Sequence, residues 1–201
     1  MLSPKTESTN ANGIKWRTYE LTSAFSTFAN GGVHTDPIFV TRIEDRQGNL
    51  IASFIPQSQD AISERSAYTM LTMLKRVVNS GTAGRLKWMF GLNDVDLGGK
   101  TGTSNENRDA WFIGVAPRLV AGAWVGGEDQ QVHLTSRGEG SVVALPIVGD
   151  FFKRVYDDGS LGVSRSDLFV RPPRTPDYNC EMSVDPEQVE VQPQQEDDFF
   201  E

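Results

Sequence analysis

The run Gly99-Lys100-Thr101-Gly102-Thr103-Ser104 places one cation and three hydroxyls around a position with no side chain. Two chemistries use such a run. A phosphate loop, G-x-x-x-x-G-K-[ST], wraps phosphate in backbone N–H groups and opens directly into a helix. If Gly99-Lys100-Thr101 ended that loop, its first glycine would fall at residue 94, which is Asp94, and Asp96 would sit inside the cradle. Two carboxylates there repel phosphate, and "TGTSNENRDAWFIGV" continues as a turn and then a strand. The phosphate reading fails on both counts. On a strand, alternation sends Lys100 and Gly102 to one face and Thr101 and Thr103 to the other. Gly102 lets another backbone come close, so an extended peptide can lie alongside as an added strand. The Thr hydroxyls and Lys100 would supply donors for its terminal carboxylate, and a backbone N–H could face a developing oxyanion.

Other reactive residues are few. His34 and His133 are the only histidines, and each reads as an exposed loop residue, which leaves little for a Ser-His-acid triad. Cys180 stands alone, so neither an internal disulfide nor a multi-cysteine metal site is available. The polar stretch "SNENRD", 104–109, suits a substrate-facing turn and a plain hairpin loop equally well. Trp88 could line a cleft edge but reads first as a core residue, and at least one of Trp111 and Phe112 must be core.

Helices and strands must position these groups. Leu21, Ala24, Phe25 and Phe28 form a helical stripe with Thr18 as its N-cap and Gly31-Gly32 as its stop. "IFVTRIEDRQGNLIASF" reads as a hairpin turning near Gly48. A second helix starts near Ser63, with Ala67, Met70, Leu71, Leu74, Val77 and Val78 on one face. A short helix around "GRLKWMF" follows. Strands over 98–104, 110–116 and 119–125 come next, the last two joined only by Pro117-Arg118, which requires an antiparallel hairpin. Residues 141–156 read as one final helix that tolerates Pro146 near its start. The fold class is α+β, an antiparallel sheet flanked by helices.

At 201 residues the chain can hold one domain with a real core. Its net charge of -8 comes from the end: nine acidic residues and no Lys or Arg follow Thr175, while the body is near neutral. Without a basic patch, no nucleic-acid partner is expected. The longest apolar run, Val142 to Val148, is broken by Pro146 and falls far short of the ~20 residues of a membrane helix. The polar start "MLSPKTESTN" has no apolar signal core.

The Lys100-Thr101-Gly102-Thr103 arrangement resembles the K-T-G box of penicillin-binding proteins and serine β-lactamases. "AFSTFANGG", "TRIEDRQGNLI", "GGKTGTSNENRDAWFIGVAP" and "AGAWVG", in this order, resemble the class A penicillin-binding proteins, bifunctional cell-wall synthases. The resemblance runs from Tyr19 to Tyr156 and implies the C-terminal half of a transpeptidase domain of the β-lactamase/transpeptidase-like fold. The half-domain takes residues 18–158; by composition, residues 1–17 read as a disordered lead-in and 159–201 as a Pro- and acid-rich, disordered tail.

In that family a serine attacks the penultimate D-Ala carbonyl of a peptidoglycan stem peptide and releases D-alanine. The acyl group then passes to an amine on a neighbouring stem, and β-lactams trap the acyl-enzyme. Carried over, the resemblance makes Lys100 and Thr103 catalytic, Lys100 beside the serine and the Thr103 N–H as half of the oxyanion hole. It makes Thr101, Gly102, Thr103 and Ser104 substrate-binding. No metal or organic cofactor is implied. The nucleophile motif S-x-x-K is absent: the residues three before the six lysines are Leu2, Asn12, Thr72, Gly84, Leu97 and Asp150. Thr72-Met73-Leu74-Lys75 comes nearest but lies in an apolar-striped helix. Ser8-Thr9-Asn10 matches S-x-N and is read as coincidence, since the family places that motif well upstream. The expected partners are the stem peptide ending D-Ala-D-Ala, β-lactams and the missing N-terminal part of the domain, with self-association as a further expectation. The family works on the extracytoplasmic face of the bacterial inner membrane. The alternative is a catalytically inactive peptide-binding or docking module.

Overall fold

The computed structural model describes residues 7–9, 15–127, 132–134 and 137–175, the first five of them by backbone alone. Residues expected to be an irregular lead-in hold a pair of antiparallel strands, β1 (Glu7–Thr9) and β2 (Lys15–Arg17). Helix α1 (Thr18–Ala29) follows at once. Its N-cap is Arg17 and not Thr18: the Arg17 N–H bonds Glu20 Oε2 at 3.2 Å, whereas Thr18 is already helical. Gly31 and Gly32 then turn the chain with φ of 63° and 93°.

Strand β3 (Val33–Thr35) is next, followed by the hairpin β4 (Arg42–Glu44) and β5 (Leu50–Ser53). Asp45 organises that turn by accepting the N–H groups of Gln47 and Asn49, each at 2.8 Å. The hairpin leaves Ile43, Leu50 and Ile51 exposed. Strand β6 (Ser58–Asp60) pairs back onto β3.

Helix α2 (Glu64–Ser80) starts where Ser63 Oγ accepts the Ser66 N–H at 3.1 Å. It buries Ala67, Leu71, Leu74 and Val78, while Met70 stays exposed. Short α3 (Arg85–Phe90) buries Leu86 but leaves Trp88 67% exposed, against its expected place in the core: a six-residue helix has only one inward face.

The central sheet has the order β7 (Gly98–Thr103), β8 (Asp109–Ala116), β9 (Leu119–Gly126), all antiparallel. Arg118, at φ 65°, completes the two-residue link. Both sheet faces are covered. Ile113 and Val115 pack with Leu71 and Leu74, with Leu21, Phe25 and Phe28 of α1 against them. On the other face Phe112 packs with Val148 and Phe152. These last two belong to α5 (Leu145–Asp157), which follows the single turn α4 (Gly140–Val143). The final helix is therefore two pieces divided at Ala144, because Pro146 has no N–H to return to the Val142 carbonyl.

Beyond α5, residues 159–175 do not behave as a disordered tail. Val163 packs against the Phe112–Phe152 cluster, and Phe169 packs beside Leu71 and Leu74. Arg165 bonds the Gly91 carbonyl and Asp94, each at 2.9 Å, and Asp157 at 3.1 Å. Two apolar anchors and one guanidinium fork hold this strap, a set of distant partners that its composition does not announce. Residues 176–201, with Cys180, lie outside the described residues.

Candidate active site

Strand β7 is an edge strand, paired only with β8 among the described residues. Three elements brace it. The position of a Cβ on Gly98 would lie 3.0 Å from Leu74 Cβ, so α2 rests directly on the strand because residue 98 has no side chain. Thr82, in the α2–α3 link, touches its middle. The first residue of α4 touches its end.

The register fixes which groups face outward. The Ser104 N–H donates to the Asp109 carbonyl at 3.0 Å, which makes that pair hydrogen-bonded. Alternation along the antiparallel ladder then gives Gly102–Trp111 and Lys100–Ile113 as bonded pairs, and Thr103–Ala110 and Thr101–Phe112 as non-bonded ones. The N–H and C=O of Thr101 and of Thr103 consequently point to the open edge. An extended ligand would meet these groups, of which the Thr101 carbonyl already accepts Lys100 Nζ.

The side chains converge on the same edge from both faces. Lys100 shares its face with Ile113, yet its exposed side chain curls round so that Nζ donates to the Thr101 carbonyl at 2.7 Å. Thr101 and Thr103 stand on the opposite face. Thr101 Oγ1 lies 2.9 Å from Thr82 Oγ1, and Thr103 Oγ1 accepts the Gly140 N–H at 3.1 Å. Gly140 is buried, and a Cβ there would fall 2.3 Å from the Trp111 carbonyl oxygen and 2.5 Å from that of Gly102. Only glycine lets α4 sit low enough to deliver this amide.

The sequence-predicted residues fare differently. Lys100, Thr101 and Thr103 come together along the edge of β7. The space beside Gly102 is bounded by Trp111 Cβ, 3.1 Å from where a Cβ would stand, so on that face its bareness serves sheet packing. Ser104 closes the turn: its Oγ accepts the Asp109 N–H at 2.7 Å. Thr82 and Gly140 were not legible as site residues, because nothing local in sequence announces a long-range contact.

The turn after β7 is built by Glu106 and Asn107, with φ of 61° and 54°. Arg108 bonds Glu106, and that bond and charge hold the Glu106 carboxyl below the usual range. The chain returns here: the Leu134 N–H bonds the Asn107 carbonyl at 2.8 Å, and His133 Nδ1 lies 3.2 Å from the Glu106 carbonyl.

His34 is on a strand and not in a loop. Its Nδ1 lies 3.2 Å from Thr27 Oγ1 and its Nε2 3.5 Å from Asp36. Hydroxyl, imidazole and carboxylate thus follow in triad order, but Thr27 is 6% exposed on a packed helix, out of reach of a substrate. In the S-x-x-K-like Thr72…Lys75, Thr72 Oγ1 donates to the Tyr68 carbonyl at 3.0 Å and Lys75 pairs with Asp96. Both groups are occupied structurally. Ser8 and Thr9 lie on β1 and Asn10 lies outside the described residues. Among the described residues, no group of histidine, cysteine and acidic side chains could hold a metal ion.

A profile of the family "Penicillin binding protein transpeptidase domain" matches residues 4–152, most of the chain. The chain belongs to the penicillin-binding protein transpeptidase family. Among curated members, penicillin-binding protein 1A of Aquifex aeolicus is 37% identical over 136 residues, covering 68% of this chain and 18% of the relative. Penicillin-binding protein 1A of Neisseria gonorrhoeae is 34% identical over 139 residues, covering 67% and 17%. The chain therefore spans about a fifth or less of the curated relatives it matches and corresponds to the transpeptidase region of class A penicillin-binding proteins. Penicillin-binding protein 1A from Haemophilus influenzae shares the fold at a TM-score of 0.69 and 21% identity, over 80% of this chain and 28% of that one. The D,D-transpeptidase domain of a peptidoglycan glycosyltransferase from Eggerthella lenta does so at 0.56 and 24%, over 79% and 37%. The fold is the antiparallel-sheet α+β architecture of penicillin-binding transpeptidases. No described helix is long and apolar enough to cross a membrane.

Proposed function

We propose that this chain supplies the carboxylate-gripping and oxyanion-binding side of a D,D-transpeptidase site that cross-links peptidoglycan stem peptides on the extracytoplasmic face of the bacterial inner membrane. The observation that carries it is the convergence of the Lys100 ammonium, the Thr101 and Thr103 hydroxyls and the Thr103 N–H on one open strand edge. A stem peptide ending in D-Ala-D-Ala, or a β-lactam imitating it, would lie along β7 with its carboxylate on these donors. The attacking serine belongs to an S-x-x-K segment that this sequence lacks. In the assembled site that serine forms an ester with the penultimate D-Ala carbonyl, D-alanine departs with the transferred proton, and an amine of a second stem takes the acyl group. Lys100 holds charge beside the serine, and the Thr103 N–H stabilises the oxyanion, an effect worth about 3 kcal/mol per donor in comparable sites.

The partner completing the site is the remaining part of the domain. Besides β7, the sheet has, among the described residues, a second open edge on β9, which carries no charged residue to guard it. Beside it runs a groove of about 1090 Å³ walled by Thr22, Val120, Ile147 and Phe151, at the opposite edge of the sheet from Lys100. A strand from the S-x-x-K-bearing segment would fill it; without that strand, the chain would self-associate.

The test is labelling with a reporter penicillin. The isolated chain should form no covalent adduct. Adding the S-x-x-K-bearing segment of a close relative in trans should restore labelling, and K100A should remove it. A stoichiometric adduct on the isolated chain would overturn the split-site reading. A folded complex that stays unlabelled would favour a docking or peptide-binding module instead.

A further inference from the structure

Each threonine hydroxyl of β7 has a partner outside the strand, and the two partners differ in kind. Thr103 Oγ1 receives the Gly140 N–H, so one of its lone pairs is taken and its own proton is left for an outside acceptor. Thr101 faces Thr82 across 2.9 Å, and either hydroxyl can donate to the other. If Thr101 donates, its proton is spent inside the protein. If Thr82 donates, the Thr101 proton is released towards the edge.

Thr82 is firmly placed. The link Gly81-Thr82-Ala83-Gly84 is tied by Ala83 N–H to the Val77 carbonyl and Gly84 N–H to the Gly81 carbonyl, each at 3.1 Å, with Ala83 fully buried. The Thr82 side chain itself is exposed. An incoming carboxylate accepts hydrogen bonds and donates none. The arrangement satisfying all three groups is therefore a chain in which Thr82 donates to Thr101 and Thr101 donates to the carboxylate. Each bond in such a chain polarises the next.

We infer that Thr82 is a positioning residue of the carboxylate site, setting the direction of the Thr101 proton and thereby selecting ligands that end in an anion. This rests on the reading of β7 as the carboxylate-binding strand. It extends that site to a residue whose role is felt only through Thr101.

The full chain can be titrated with N-acetyl-D-alanyl-D-alanine and with its methyl ester, following the amide resonances of residues 100–103. The wild type should bind the acid in preference to the ester. T82V, which keeps the shape and removes the hydroxyl, should bind the acid about three- to tenfold more weakly and the ester unchanged. T82S should restore the wild-type value, and T82A should match T82V, which guards against a misfolded valine variant. T82V adds nothing to T101V if the two hydroxyls act as one chain. Wild-type acid binding in a folded T82V sinks this inference and leaves the site reading intact. Failure of the wild type to answer the acid at residues 100–103 sinks both.

Discussion

Lys75 and Asp96 meet at 2.6 Å, an ammonium from the middle of α2 against a carboxylate whose side chain is 10% exposed. The other Asp96 oxygen accepts the Phe169 N–H at 3.2 Å. One carboxylate thus joins the helix that braces β7 to the strap that crosses the body. The substitution Asp96→Asn keeps the size and strips the charge that Lys75 answers. It should lower unfolding stability by about 1 kcal/mol, since Lys75, 31% exposed, loses its partner yet keeps access to water. A urea midpoint within error of the wild type would show that the pair contributes nothing net.

G140A should be costlier than an ordinary Gly-to-Ala change. The added methyl must displace the Trp111 and Gly102 carbonyls, so α4 lifts and Thr103 loses its amide partner. About 1–3 kcal/mol of overpacking cost is expected. The Thr103 and Gly140 amide resonances should move together; an unshifted spectrum would mean that α4 tolerates the methyl in place.

Arg165 is the fork that ties the strap to Gly91, Asp94 and Asp157. R165A should raise amide exchange across residues 159–170 severalfold while leaving β8 protected, because the strap then keeps only its apolar packing at Val163 and Phe169 and the Phe169 N–H bond to Asp96. Equal exchange in both chains would assign the docking to Val163, Phe169 and the Asp96 bond.

Tyr156 gives the alkaline limb of stability a specific origin. Its hydroxyl is buried without a hydrogen-bond partner among the described residues. Burial, with Asp167 and Asp96 adding to it against Arg165, pushes its pKa up from 10.0 to about 12. The folded state therefore holds this proton more tightly than the unfolded one. The resulting stability is complete below pH 10 and drains away between 10 and about 12. Y156F should match or exceed wild-type stability at pH 7, and its stability should fall less over that alkaline window. Parallel pH profiles for the two chains would show that folding leaves the hydroxyl's proton affinity unchanged.

The elements with strong local grammar were legible in sequence. Ser63 announced α2 and Pro117-Arg118 forced the β8–β9 hairpin, because a cap and a two-residue link leave few alternatives. Thr101 and Thr103 fell on one face for the same local reason. The split at Ala144 was hidden behind a proline that a helix start would have tolerated. The strap was hidden by its composition, since Val163, Arg165 and Phe169 reach partners as far upstream as Phe112, Gly91 and Leu71. Thr82 and Gly140 were missed for a like reason, being brought to β7 by the packing of α2 and α4.

The two hydroxyls of β7 are anchored by different kinds of group, and this divides their fate under mutation. Thr103 leans on a main-chain amide, which no replacement at residue 140 short of proline can delete and which most replacements can only push aside with the whole turn. Thr101 leans on a side chain that one nucleotide change can alter. On the proposed reading of β7 as the carboxylate-binding strand, a lineage pressed to loosen its hold on an anionic ligand while sparing its fold would find the easier route through residue 82.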